Sequence, residues 1–193
     1  MLKKISLASL ILVTSLFSFE KGSLGLNINS DDVEFEARSS VSLLTNSPVY
    51  SNFFVNGNYI NSDESLIGLG MSVENSPINY QNLVFNIGLR SVFSDHAGQD
   101  FMALPIVVGT KAQLFLGDLP TTYIGAKIGY APSALSFKDA DEYTEYRVEV
   151  DSNIIPNINI YAGYRNIDTD YKNKAYNLND SFYAGFKFVL DPR

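Results

Sequence analysis

Few residues in this chain could do chemistry. The one histidine, His96, lies in Ser94-Asp95-His96-Ala97-Gly98-Gln99-Asp100, and there is no cysteine. A histidine oriented by a carboxylate can act as a general base or activate a nucleophile. Asp95 is its immediate neighbour, however, and neighbours on an extended chain point to opposite sides, so the spacing implies no triad. His96 therefore reads as a solvated loop histidine, with a membrane hydrolase centred on it as the alternative. Two acidic runs, Asp139-Ala140-Asp141-Glu142 and Asp168-Thr169-Asp170, offer the oxygen ligands that calcium or magnesium prefers. Neither has the twelve-residue spacing of a calcium loop, so they read as solvated acids. The expectation is no catalytic residue, no metal and no cofactor. Without cysteine there is no disulfide, thiolate metal site or thiol-linked lipid.

A third group of charges is regularly placed. Arg90, Lys111, Lys127, Arg147, Glu149, Asp151, Arg165 and Lys187 each interrupt an apolar alternation at every second position. In a strand such positions share one face, opposite the apolar one. Arg38, Glu34, Glu36 and Glu74 fit the same rule. If the strands close into a barrel, these side chains fill its interior as a mixed-sign network, a plug of charge. Glu149 with Lys127 is the expected ion pair within it, because their strands are neighbours in this layout.

The elements that must position them are ten candidate strands: 22–29, 33–39, 49–60, 65–74, 82–92, 103–114, 122–131, 143–151, 157–166 and 181–190. The last is the clearest, with Phe182, Ala184, Phe186, Phe188 and Leu190 alternating with Tyr183, Gly185, Lys187 and Val189. Longer connections at 93–102, 132–142 and 167–180 carry the acids, while the alternate turns are compact. That alternation of loop lengths fits an up-and-down barrel with both termini on one side. Outward-pointing Tyr59, Tyr130, Tyr164 and Phe182 fall at the external ends of their strands as one aromatic girdle. Eight strands is the alternative count, reached by merging or dropping the first two.

Residues 1–19 stand apart. Lys3 and Lys4 precede an apolar run too short for a stop-transfer helix, the form of a signal peptide. Residues 20–193 then form the barrel. Removing Lys3 and Lys4 takes the formal charge from −7 to −9, which disfavours nucleic acid as a partner. No other stretch is long and apolar enough for a spanning helix, so a membrane would be crossed by strands. The fold expected is all-β, an antiparallel up-and-down transmembrane β-barrel behind a signal peptide. Alternation alone is symmetric to turning the barrel inside out, which keeps a soluble lipocalin-like periplasmic carrier as an alternative.

Tyr130-Ala131-Pro132-Ser133-Ala134-Leu135, then Tyr143 and Glu145, then Ala162-Gly163-Tyr164-Arg165-Asn166-Ile167-Asp168 resemble the YfaZ family, most clearly from about Tyr123 onward. The chain departs from that family's pattern where Asp191-Pro192-Arg193 follows Leu190 instead of an aromatic terminal residue. The resemblance implies a bacterial outer-membrane barrel and transfers no catalytic residue. The function expected is a structural, interaction or small-solute role in the cell envelope, with a small-solute channel as a further alternative. The partners expected are outer-membrane lipid, lipopolysaccharide and the outer-membrane assembly machinery.

Overall fold

Segments that alternate apolar with polar residues and are rich in β-branched and aromatic side chains favour a pleated, two-faced surface. In the computed structural model, which describes residues 22–40, 52–61, 65–96, 99–118, 120–172 and 174–190, these segments are strands. They run β1 (Gly22–Ile28), β2 (Val33–Ser40), β3 (Asn52–Asn61), β4 (Ser65–Asn75), β5 (Leu83–His96), β6 (Gln99–Ala103), β7 (Ile106–Leu114), β8 (Thr122–Ala131), β9 (Ser136–Lys138), β10 (Ala140–Ile155), β11 (Ile158–Tyr171) and β12 (Lys174–Leu190). A 3-10 turn, Ser133–Leu135, precedes β9.

Ten of these strands close a ring in the order β1-β2-β3-β4-β5-β7-β8-β10-β11-β12, every neighbour antiparallel. β12 returns to β1 with Gly22 opposite Leu190 and Ile28 opposite Ala184. Closure leaves no strand of the ring with an unpaired edge, the condition for spanning lipid without unsatisfied backbone groups. The count is ten and not eight, because β1 and β2 are separate strands paired along their length from Gly22–Ser39 to Ile28–Val33. The leader at 1–19 and the start of the expected third strand, 49–51, lie outside the described residues.

Two expectations are corrected. The segment 103–114 is not one strand: β6 and β7 lie on one line against β5 but are interrupted at Leu104 and Pro105. Proline has no N–H for the ladder. Its carbonyl still accepts from the Arg90 N–H, while the Leu104 N–H turns away to the Leu135 carbonyl at 2.8 Å. That break lets β6 rise above the ring and pair with β9.

The acid-rich connections are also not long loops. β5 continues to His96, β10 begins at Ala140, β11 reaches Tyr171 and β12 starts at Lys174, so much of what reads as loop is strand. In these extensions the polarity of the pattern is reversed. Ile167, Thr169 and Tyr171 are buried on the inner side of β11 while Asp168 and Asp170 lie on the outer side; in β6, Phe101 and Ala103 are buried and Asp100 is exposed. Lower in the same barrel, Ile124, Ile128, Val148, Val150, Ile160 and Phe186 are exposed outward and the charges point in. A search for apolar-out strands passes over a segment that is apolar-in, which is why these acids look like loop residues.

Candidate functional site: a sealed, charged lumen

The interior is layered. At the raised end, Ile60, Leu66, Val92, Phe101, Ala103, Ala131, Tyr143, Ile167, Tyr171 and Leu178 form one buried apolar cluster. Phe101 sits at its centre, with its ring centroid 5.3 Å from that of Tyr171 and 6.1 Å from that of Tyr143. One inward step down the same strands, Val92 gives way to Arg90, Ile60 to Asn58, Tyr143 to Glu145 and Ile167 to Arg165. The apolar cap therefore rests directly on a layer of charge.

In that layer Arg165 is wholly buried. Its Nε donates to Asn179 Oδ1 at 3.0 Å, its Nη2 to both Asp32 oxygens at 2.8 Å, and its Nη1 to Glu34. Glu34, equally buried, also accepts from Asn27 at 2.9 Å, Asn58 at 2.8 Å and Arg147 Nη2 at 2.9 and 3.0 Å. Arg147 donates its other terminal nitrogen to Glu36. On the far side Arg90 donates to Glu145 and, at 2.6 Å, to the Tyr143 hydroxyl, which in turn donates to Glu145 at 2.9 Å. Asp32 is held in place by the β1–β2 connection, where Asn29 Nδ2 donates to it at 2.8 Å and Asn29 Oδ1 accepts the Asp31 and Asp32 N–H groups.

These pairs run across the lumen, not along the sheet. Lys127, Arg147 and Arg165 are direct cross-strand neighbours on β8, β10 and β11. Like charges set opposite one another in a sheet are destabilising, so the row requires acids from elsewhere. β2 supplies Glu34 and Glu36 to the two arginines from over the intervening β12 and β1.

Glycines make the crossing possible. A Cβ on Gly68 would lie 2.2 Å from Asn58 Oδ1 and 3.2 Å from the Arg90 side chain; one on Gly163 would lie 2.7 Å from the Tyr183 hydroxyl. Gly163 and Tyr183 are paired across β11 and β12, so the tyrosine covers the place of the missing side chain and donates to Glu149 at 2.9 Å.

Below this layer the charges are more open. Lys187 lies 3.4 Å from Glu149 and 3.5 Å from Asp151, Lys111 3.6 Å from Asp151, Lys127 3.6 Å from Glu145, and Arg38 2.7 Å from Glu74. The cations Arg38, Arg90, Lys111, Lys127, Arg147, Arg165 and Lys187 are matched one for one by Asp32, Glu34, Glu36, Glu74, Glu145, Glu149 and Asp151.

All eight of the charges singled out in the sequence thus lie in this network, but the expected Glu149–Lys127 pair is not formed. Lys127 faces Glu145, and Glu149 faces Lys187 and Tyr183. Lys127 lies opposite Arg147, so Glu145 and Glu149 are its two diagonal neighbours on β10; it faces the first, and the second is taken by Lys187 and Tyr183 reaching over from β12. Asp32 and Glu145, which sequence reasoning missed, share the parity of Glu34 and Arg147 respectively; that parity was the available signal.

On the outside, Tyr59 and Tyr130 stand near the ends of β3 and β8, whereas β11 and β12 run on beyond Tyr164 and Phe182. From Tyr164 to Tyr171 is roughly 23 Å along the strand. The expectation that all four mark strand ends therefore fails for two. Tyr164 and Phe182 are paired, with ring centroids 5.2 Å apart, and Tyr146 adjoins them at 6.0 Å from Tyr164. His96 closes β5 with its backbone paired to Gln99. Among the described residues no three acids or histidines cluster as metal ligands. Asp168 instead accepts from Asn177 at 2.7 Å, and Asp100 pairs with Lys138 at 3.0 Å.

A family model described as YfaZ precursor matches residues 2–190. Among solved structures the chain is similar to one titled a bacterial polysaccharide outer membrane secretin, at 9% identity and a TM-score of 0.45 over 90% of this chain and 70% of that one. It is also similar to the NanC porin, at 12% identity and 0.42 over 88% and 97%. A third is titled outer-membrane expressed OmpT of Vibrio cholerae, at 12% identity and 0.38 over 90% and 62%. A comparison with curated proteins gives no match.

Proposed function

The chain belongs to the YfaZ precursor family, and from that premise we propose that it is a bacterial outer-membrane barrel with a structural or interaction role in the envelope and no catalytic one. The observation that carries the membrane reading is the reversal of strand polarity at the level of Tyr130, Tyr146, Tyr164 and Phe182. Below it the outer surface is apolar, as hydrocarbon requires; above it, on β11 and β12, the outer side carries Asp168, Asp170 and Asp180 and the apolar residues turn inward, as water requires. Amphipathic rings at such a boundary match the preference of Tyr for the headgroup level. The partners of the apolar band are then outer-membrane lipid, with lipopolysaccharide beside the acidic wall, and the assembly machinery that inserts the barrel.

Against transport stands the filling of the lumen by the Arg165–Glu34–Arg147 cluster beneath an apolar lid. The native protein is expected to fractionate with the outer membrane and to migrate faster on a gel when unheated. Recovery as a soluble periplasmic species without detergent would overturn the membrane reading and restore the carrier. Purified protein in a planar bilayer is expected to show little or no steady conductance, and a large ohmic current would promote the channel.

A further inference from the structure

The two halves of the lumen differ in how well their cations are satisfied. In the upper layer Arg90, Arg147 and Arg165 are 0–6% exposed and bonded closely to acids. In the lower half Lys111 and Lys127 are 39% and 32% exposed, and neither ammonium comes closer than 3.6 Å to an acid. An ammonium carries three donors. Of the acids nearby, Glu36 accepts from Arg147, Glu149 from Tyr183 at 2.9 Å and Asp151 from Asn159 at 2.6 Å, while Glu145 Oε1, 3.6 Å from Lys127, has no hydrogen-bond partner among the described residues. The lower lumen is formally balanced in charge, and its two lysine ammoniums are held less closely by acids than the arginines above them.

Those donors converge on space. A cavity of about 200 Å³ is lined by Arg38, Asn56, Asn86, Arg90 and Lys127 among others. A second of about 180 Å³, lined by Lys111 and Arg147 with the paired acids Glu149 and Asp151, shares Glu36, Asn86 and Lys127 with it. Each is far larger than the roughly 10–15 Å³ that a single water needs. Two deeply buried guanidinium nitrogens in these walls, Arg90 Nε and Arg147 Nε, have no hydrogen-bond partner among the described residues. Buried donors are ordinarily paired. The apolar cap closes the other end, so among the described residues this is a blind chamber, reached from the side of Gly22 and Leu190.

We infer that the lower lumen is a binding chamber for a small oxyanion, a free carboxylate or phosphate, gripped by Lys127, Lys111 and Arg38 with the unpaired guanidinium nitrogens behind them. Charge-assisted hydrogen bonds from several donors to one oxyanion are among the stronger polar contacts available, and a poorly hydrated wall strengthens them. The inference does not rest on the membrane reading: a soluble barrel would present the same chamber, and binding without conductance separates a blind site from a pore.

The test is calorimetric titration of the folded, detergent-solubilised protein with inorganic phosphate and, separately, with succinate, chloride being exchanged to hold ionic strength constant. Saturable binding of at least one is expected, and which one binds assigns the class. Lys111→Gln with Lys127→Gln should lower the affinity at least tenfold, and Arg38→Gln alone should lower it less. Heat-dependent gel migration shows that each variant has folded. Absence of saturable binding for both anions, heats reproduced by chloride, or unchanged affinity in the folded double variant would each overturn the chamber.

Discussion

At the scale of single residues, the decisive contacts are those of Glu34. It receives two arginines and two asparagines while wholly buried, so its removal leaves two guanidinium groups short of an acid in a dry layer. Breaking a buried pair by deleting one partner costs about 3–5 kcal/mol. Glu34→Ala should therefore lower the urea midpoint of the folded barrel sharply. Lys127→Gln should change it by less than about 1 kcal/mol, because Lys127 is partly hydrated and Glu145 keeps Arg90 and Tyr143. A smaller loss for Glu34→Ala than for Lys127→Gln in the same denaturation series would show that the charge layer is not where the stability lies.

For the strands, the question is which face meets lipid. Ile128 and Lys127 are adjacent on β8 and point oppositely, Ile128 being 53% exposed on the outer surface. Arginine in the middle of a lipid-facing band costs about 2–4 kcal/mol, so Ile128→Arg should impair assembly into liposomes where Lys127→Gln does not. Equal folding yields would mean that the outer face does not meet hydrocarbon. The β11–β12 pair supplies a second check. Gly163→Ala would drive a methyl into the space held by Tyr183 and to within 2.4 Å of the Val148 carbonyl oxygen. It should destabilise the native barrel, and Tyr183→Ala should relieve only part of that loss, since the backbone contact remains.

For the whole molecule, the seal is double, an apolar lid over a charge layer, and the two parts are separable. Phe101→Ala should cost about 3–5 kcal/mol by leaving a cavity in the lid. It should nonetheless leave bilayer conductance at the wild-type level, because Arg90–Glu145 and Arg165–Glu34 still cross the lumen beneath. A steady current in Phe101→Ala alone would place the barrier to ions in the lid. Acids and cations matched one for one make this interior a strut, with no net charge to favour ions of either sign.

The sequence by itself determined the ring. Period-two alternation marks a strand without knowledge of its partner, so β1, β2, β4 and β8 are legible within a residue of their observed bounds. Parity likewise assigned Arg90, Arg147, Arg165 and Lys187 to the inside. Two things were decided only by the tertiary structure. One is which face of each strand turns inward: 167–171 alternates as faithfully as 158–164, but its apolar side is buried, with Ile167 and Tyr171 inside, whereas Ile160 is exposed outward. The other is the partner of each charge. Arg165 and Glu34 are 131 positions apart, and only closure of the barrel brings β2 within reach of β11 and β10. A local pattern fixes which way a side chain points; what it meets there depends on the far wall.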